Sequence, residues 1–142
     1  MKQSQHVLEM DPSFTGAYLM LGRGYELQGK WQDAIAAFEH GKGQYRRGYL
    51  AGMAYVWAAS GNRSQAQAAL TDLTKFSRHN YISPIDFATY YAASGNSDKA
   101  FEWLDTAYQR HATGMIALDV NNRLDNLRSD PRFKELERRA GF

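Results

Sequence analysis

The amino-acid sequence predicts an all-helical fold built from repeated helix pairs, and three observations carry that expectation. Ala58-Ala59-Ser60-Gly61-Asn62 recurs as Ala92-Ala93-Ser94-Gly95-Asn96, and the interval between the two copies is the one that also separates Ala66 from Ala100. Large side chains fall three or four residues apart, as in Tyr18, Leu21 and Tyr25, or Leu50, Met53 and Trp57, so that each set forms a stripe on one helix face. Gly29, Gly61 and Gly95 stand where the first helix of each pair must stop and turn, a place where a left-handed backbone costs glycine nothing. Gly29 precedes Gly61 by the same, slightly shorter interval by which Ala34 precedes Ala66, which adds an earlier pair to the two that share the pentapeptide.

The pattern places helices over 13–28, 31–43, 47–60, 63–77, 84–94 and 97–111. Asp11-Pro12 and Ser83-Pro84-Ile85-Asp86 read as helix entries, with a capping side chain, a proline in the first turn and, in the later one, a carboxylate suited to the helix dipole. Asn62 and Asn96 are placed to cap the second helices. Small residues at Gly22, Ala54 and Ala88, and at Ala34, Ala66 and Ala100, allow paired helices to approach while large neighbours fill the gaps. At the N-terminal end, Val7-Leu8-Glu9-Met10 reads as the last turns of a second helix whose own partner is missing. A truncated longer protein or a covering partner would explain its unpaired stripe. Beyond Ala107 the repeat breaks. A Gly114–Leu118 segment and a polar run from Asn121 to Asn126 lead to a last amphipathic helix from Pro131, capped by Ser129 or Asp130, with Phe133 and Leu136 inward.

These units resemble the tetratricopeptide repeat family. The first reads Tyr18-x2-Leu21-Gly22-x2-Tyr25, Gly29, Ala34-x3-Phe38 and Gly41, with Pro12 closing the unit before. The second reads Leu50-x2-Met53-Ala54-x2-Trp57, Gly61, Ala66-x3-Leu70, and the third Pro84-x2-Phe87-Ala88-x2-Tyr91, Gly95, Ala100-x3-Leu104. The resemblance implies one domain over 1–142, a right-handed superhelical solenoid of antiparallel helix pairs. Its parts are the end of an earlier repeat at 1–12, repeats at 13–46, 47–80 and 81–114, and a C-terminal cap at 115–142. The closing Leu127-Arg128-Ser129-Asp130-Pro131-Arg132-Phe133 resembles the end of repeat regions in bacterial regulatory proteins, where such regions trail a winged-helix activator, a protein kinase or a cyclase domain.

Composition excludes several function classes. At 142 residues the chain is long enough to bury a core, and 13% aromatic content is too high for disorder. A formal net charge of +2 gives no strong field toward nucleic acid or an anionic membrane. With no cysteine there is no disulfide frame and no thiolate chemistry. The polar N-terminus lacks the apolar core of a signal peptide, so the cytoplasm is the default location. His6, His40, His79 and His111 lie in different units, so neither a metal site nor a cofactor is expected. Gly22-Arg23-Gly24 and Gly41-Lys42-Gly43 look like phosphate-loop fragments but follow no strand, and they read better as packing glycines. Ser60 and Ser94 have no base nearby, and Asn62-Arg63-Ser64 reads as a helix cap before a glycosylation acceptor. Arg46-Arg47 and the C-terminal arginines are interspersed with acidic residues, which favours a solvated face over nucleic-acid binding.

The missing catalytic motifs give the expectation that the chain is no enzyme, and the resemblance implies that it binds a protein or peptide on a concave face lined by the first helix of each unit. That face is expected to present Leu19, Met20 and Arg23, then Ala51 and Tyr55, then Ile82, Ile85, Asp86 and Thr89. The family's chaperone-tail binders hold a terminal carboxylate with lysine, asparagine and arginine. Here the matching places carry Leu19, Arg23, Gly52, Ile82 and Asp86, so no such clamp is expected. The alternatives are that these residues pack against the C-terminal segment, or that the chain forms a homodimer through its N-terminal half-repeat.

Overall fold

The computed structural model describes residues 2–11, 14–43 and 45–142, and apolar residues at helical spacing with glycine or asparagine punctuation give helices over most of them. Among the described residues eight α-helices run α1 (Lys2–Met10), α2 (Thr15–Leu27), α3 (Trp31–Gly41), α4 (Arg46–Ala59), α5 (Arg63–Ser77), α6 (Pro84–Ala93), α7 (Ser97–Gln109) and α8 (Pro131–Ala140). Two 3-10 segments, η1 (Thr113–Val120) and η2 (Asn122–Leu127), lie between α7 and α8. No strand occurs among the described residues, and no helix of theirs is long and apolar enough to cross a membrane. Pro12, read from sequence as a helix entry, lies outside the described residues.

Local chemistry sets the helix ends. Gly29, Gly61 and Gly95 adopt φ of +71°, +83° and +84° as the first helix of each pair gives way to the second. The Asn62 Oδ1 accepts from the Gln65 amide at 3.1 Å, and Asn96 Oδ1 from Lys99 at 3.1 Å, each satisfying a donor that the first helical turn leaves open. Ser83 Oγ accepts from Ile85 at 3.2 Å, and Pro84 occupies the first turn of α6. At α8 the capping residue is Asp130, whose Oδ1 accepts from the Arg132 amide at 2.9 Å. Hydrogen bonds from Arg132 hold this carboxyl below the usual carboxylate range. The helices α5, α7 and α8 begin at Arg63, Ser97 and Pro131, so the step from one start to the next is the same both times. It also equals the interval between the two copies of the pentapeptide. The C-terminal segment, which looks like a break in the repeat when read as sequence, therefore keeps the period at its helix start and at its cap.

The chain divides into two compact units, Met1–Lys75 and Phe76–Phe142. In the first unit α3 folds back on α2, α4 packs on both, and α1 rests on α2 through buried Ser4. Phe38, 1% exposed, is the centre of this packing. Its ring fills a slot between two glycines: a Cβ built on Gly22 would lie 2.5 Å from Phe38 Cε1, and one on Gly52 would lie 3.0 Å from Cζ. Ala34, Met53 and Val56 complete the core, with Trp31, Tyr25 and Trp57 packed at its margin. In the second unit α6 and α7 pair, and η1, η2 and α8 close over them, burying Leu104, Leu118, Leu124, Leu127, Phe133 and Leu136 in one cluster with Ile85 and Phe101. Three contacts join positions one period apart in the chain: Arg132 donates to Asp98 at 2.9 Å, Arg139 to Asp105 at 2.7 Å, and Asn126 Nδ2 to the Ala92 carbonyl at 3.3 Å.

Candidate functional site

The residues expected to line a concave face divide by burial. In the first unit Met20 is 61% exposed, while Leu19, Arg23 and Tyr55 are half-buried and Ala51 is buried. Leu19 packs where α2 meets α4, its Cδ1 lying 3.0 Å from the position a Gly48 Cβ would take. Arg23 forms an ion pair with the buried Glu26 one turn on, and Tyr55 packs on the core around Phe38. In the second unit Ile82, Ile85 and Thr89 are interior residues and only Asp86 keeps partial exposure. Ile85 belongs to the cluster with Met115, Leu118 and Leu124, and its Cγ1 would stand 2.8 Å from a Cβ on Gly114. The Thr89 hydroxyl donates to the Asp86 carbonyl at 2.9 Å. The physical reason is that η2 packs along α6, so a helix that would otherwise offer an open face is covered. Ile85 packs against the C-terminal segment, and Ala51, Ile82, Ile85 and Thr89 are buried within their own units.

The first unit also has a groove that the sequence reading did not single out. Ile35 and Glu39 of α3, Tyr49, Leu50, Met53 and Trp57 of α4, and Gln65, Ala68, Ala69 and Asp72 of α5 enclose about 320 Å³. Each helix contributes residues three or four apart, which is one face of each, and that spacing was the available signal. Leu50 and Met53, both buried, make an apolar floor, and the small Ala68 and Ala69 leave room above it. Glu39 of α3 and Asp72 of α5 each add a carboxylate to the lining. The Tyr49 hydroxyl donates to Glu39 Oε1 at 3.0 Å. Burial first, then that hydrogen bond and the charges of Glu39 and Asp72, push the Tyr49 phenol up to about 12, against a smaller opposing effect of Arg46. The charged phenolate is disfavoured here, so Tyr49 contributes stability that is full below the ordinary tyrosine value of about 10 and fades as pH rises toward about 12. A Tyr49→Phe chain should therefore lack a phenolate absorbance step that the natural chain shows only as pH approaches about 12. A Glu39→Gln chain should show that step at lower pH. An unmoved step in Glu39→Gln would contradict this account of the groove.

A second hollow, of about 580 Å³, lies in the second unit between Tyr108, Met115, Ile116, Arg139 and Phe142. Ile116 and Phe142 are 77% and 51% exposed. Arg139 lies with its guanidinium 5.1 Å from the Tyr108 ring centre while holding Asp105, so its charge is already engaged.

The remaining sequence candidates have structural roles. Gly22, with Arg23 and Gly24, is inside α2 against Phe38, and Gly41 ends α3. The His40 ring stacks on Tyr18 with centroids 4.9 Å apart. Among the described residues no group of three or more histidine, cysteine or acidic side chains is placed to hold a metal ion. Comparison with protein-family models, curated proteins and solved structures gives no match to this chain.

Proposed function

We propose that the chain is a non-catalytic helical-repeat module of tetratricopeptide type that binds a segment of another protein, as the sensing or scaffolding part of a larger bacterial regulator. The observation that carries this reading is the common period of α5, α7 and α8, whose starts at Arg63, Ser97 and Pro131 are evenly spaced behind the caps Asn62, Asn96 and Asp130. Repetition of one supersecondary unit serves to build an extended surface, and the usual use of such a surface is recognition of another chain. The right-handed superhelical stacking of the pairs, and a cytoplasmic setting, belong to the same proposal.

The binding face is assigned to the accessible members of the expected set in the first unit, Leu19, Met20, Arg23 and Tyr55. Met20 is an apolar side chain held largely in solvent, and Arg23 and Tyr55 are residue types that dominate interfaces. Selection of peptides from a displayed random library against the chain should yield binders of micromolar affinity. Met20→Glu should weaken them about tenfold or more, the effect of burying an added charge at an apolar contact. Binding unchanged by Met20→Glu would move the face elsewhere, and a library that yields no binder would overturn the reading. Because no clamp of lysine and asparagine accompanies Arg23, peptides ending in a free carboxylate should bind no better than their amides.

A second reading, self-association through α1, is favoured by Val7 and Met10, 37% and 75% exposed on that helix. Light scattering should then show a dimer that Val7→Lys converts to monomer, and a monomer at every concentration overturns it.

A further inference from the structure

We propose that the groove formed by α3, α4 and α5 in the first unit receives one cationic side chain, arginine in preference to lysine, from a protein partner that reaches the face of α4 opposite Tyr55. The groove's shape and its charge both point to such an occupant. At about 320 Å³ it stands at the lower limit of the roughly 300–1,000 Å³ of ligand pockets, which suits a single side chain better than a folded surface. Its floor of Leu50 and Met53 and its aromatic residues Tyr49 and Trp57 match an aliphatic stem and a planar cationic head, which aromatic rings attract.

The two carboxylates supply the complementary charge. Glu39 comes from α3 and Asp72 from α5, both line the same groove, and the charge of each acts on the Tyr49 hydroxyl. The cations near them are Lys42, whose Nζ lies 3.3 Å from Glu39 Oε2, and Arg46. The Lys42–Glu39 pair is an exposed one, a kind that contributes little and is readily exchanged. A guanidinium entering from a partner can fork to a carboxylate while stacking on a ring. A lysine ammonium, more strongly hydrated and without a planar face, does this less well.

The inference takes from the preceding section only the source of the side chain, so the pocket is tested without any partner. The probes are N-acetyl-arginine methylamide and the corresponding amide of citrulline, which has the same shape without the charge. Titrated into the isotopically labelled full chain and followed by NMR, the arginine probe should shift the Trp57 indole and the amides of Tyr49, Ala69 and Asp72, saturating in the millimolar range. The citrulline probe should bind about tenfold more weakly, as expected for loss of one charge-assisted contact. Asp72→Asn, at an exposed position where the fold does not depend on the charge, should weaken the arginine probe by a similar factor and should reduce the sensitivity of binding to salt. Equal binding of the two probes, shifts centred outside these three helices, or an affinity indifferent to Asp72→Asn would each overturn the proposal. A silent titration would do so as well. Selected peptides that still bind when this titration is silent would show that the pocket assignment alone has failed, whereas a pocket that takes arginine while the library yields nothing would count against the protein-binding reading.

Discussion

Replacing Phe38 by alanine should destabilise the first unit by about 3–5 kcal/mol, the range for emptying a buried aromatic site, and should also reverse the effect of a substitution at Gly22. Phe38 is 1% exposed, and its ring is held between Gly22 of α2 and Gly52 of α4. In the natural chain Gly22→Ala puts a methyl 2.5 Å from a ring carbon, and the ring cannot retreat because Gly52 bounds its other side at 3.0 Å. The overpacking costs about 1–3 kcal/mol, against a gain of about 0.5–1 kcal/mol from alanine's better helix propensity. The net effect is a loss. In the Phe38→Ala background the ring is gone, so only the propensity gain remains and Gly22→Ala should stabilise. Fluorine NMR of the chain labelled with fluorotryptophan measures this directly, since Trp31 and Trp57 report on the first unit and Trp103 on the second. A Gly22→Ala effect of the same sign with and without Phe38 would contradict the slot.

One side of that slot and its occupant were legible in the sequence because both follow from spacing, whereas Gly52 on the other side was not singled out for packing. Gly22 stands in the Leu-Gly pair of α2, and Phe38 stands four residues after Ala34 on α3. The helix turns and the caps at Asn62, Asn96 and Asp130 were legible for the same reason, being decided within a few residues of chain. The covering of α6 was not. It depends on where residues 113–127 fold, and these form 3-10 turns whose buried residues, Met115, Leu118, Leu124 and Leu127, fall three, six and three apart without the period of an α-helix. The polar run from Asn121 to Asn126 is a set of local bonds: Asn121 Oδ1 accepts from Arg123 at 3.0 Å, Arg128 returns to the Asn121 carbonyl at 3.1 Å and holds Asp125 at 2.8 Å. Asn126 then reaches the Ala92 carbonyl near the end of α6. Several polar residues here bind backbone as well as facing solvent, and hydropathy patterning alone does not reveal such bonds. Ile82, Ile85 and Thr89 were accordingly expected on a surface. The groove of α3, α4 and α5 lay within reach of the same reasoning, since its residues keep helical spacing, but its three faces belong to different elements and only their packing brings Glu39 and Asp72 together.

Phe133→Ala should cost the second unit about 3–5 kcal/mol, and removal of the chain from residue 113 onward should abolish its folding. Phe133 and Leu136, each 1% exposed, close the cluster that contains Ile85, Phe101 and Leu104. Arg128 lies with its guanidinium 5.1 Å from the centre of the Phe133 ring, and Arg132 lies 4.4 Å from that of Phe101. These contacts add to the packing but do not replace it, because exposed cation–ring pairs contribute only about 0.5–1 kcal/mol. Without η1, η2 and α8 the pair α6–α7 would expose its buried face, and a hairpin of that length falls below the roughly 40 residues at which a domain can hold a core unaided. Lys134→Ala, on the exposed side of α8, should stay within about 0.5 kcal/mol of the natural chain. In fluorine NMR under urea, Phe133→Ala should move the Trp103 transition to lower denaturant, since Trp103 packs on this cluster. A Trp103 transition left in place would mean that α8 is an appendage. A shift of the expected size would make the C-terminal segment the second half of the unit's core, which is the role that the even spacing of the α5, α7 and α8 starts assigns to it.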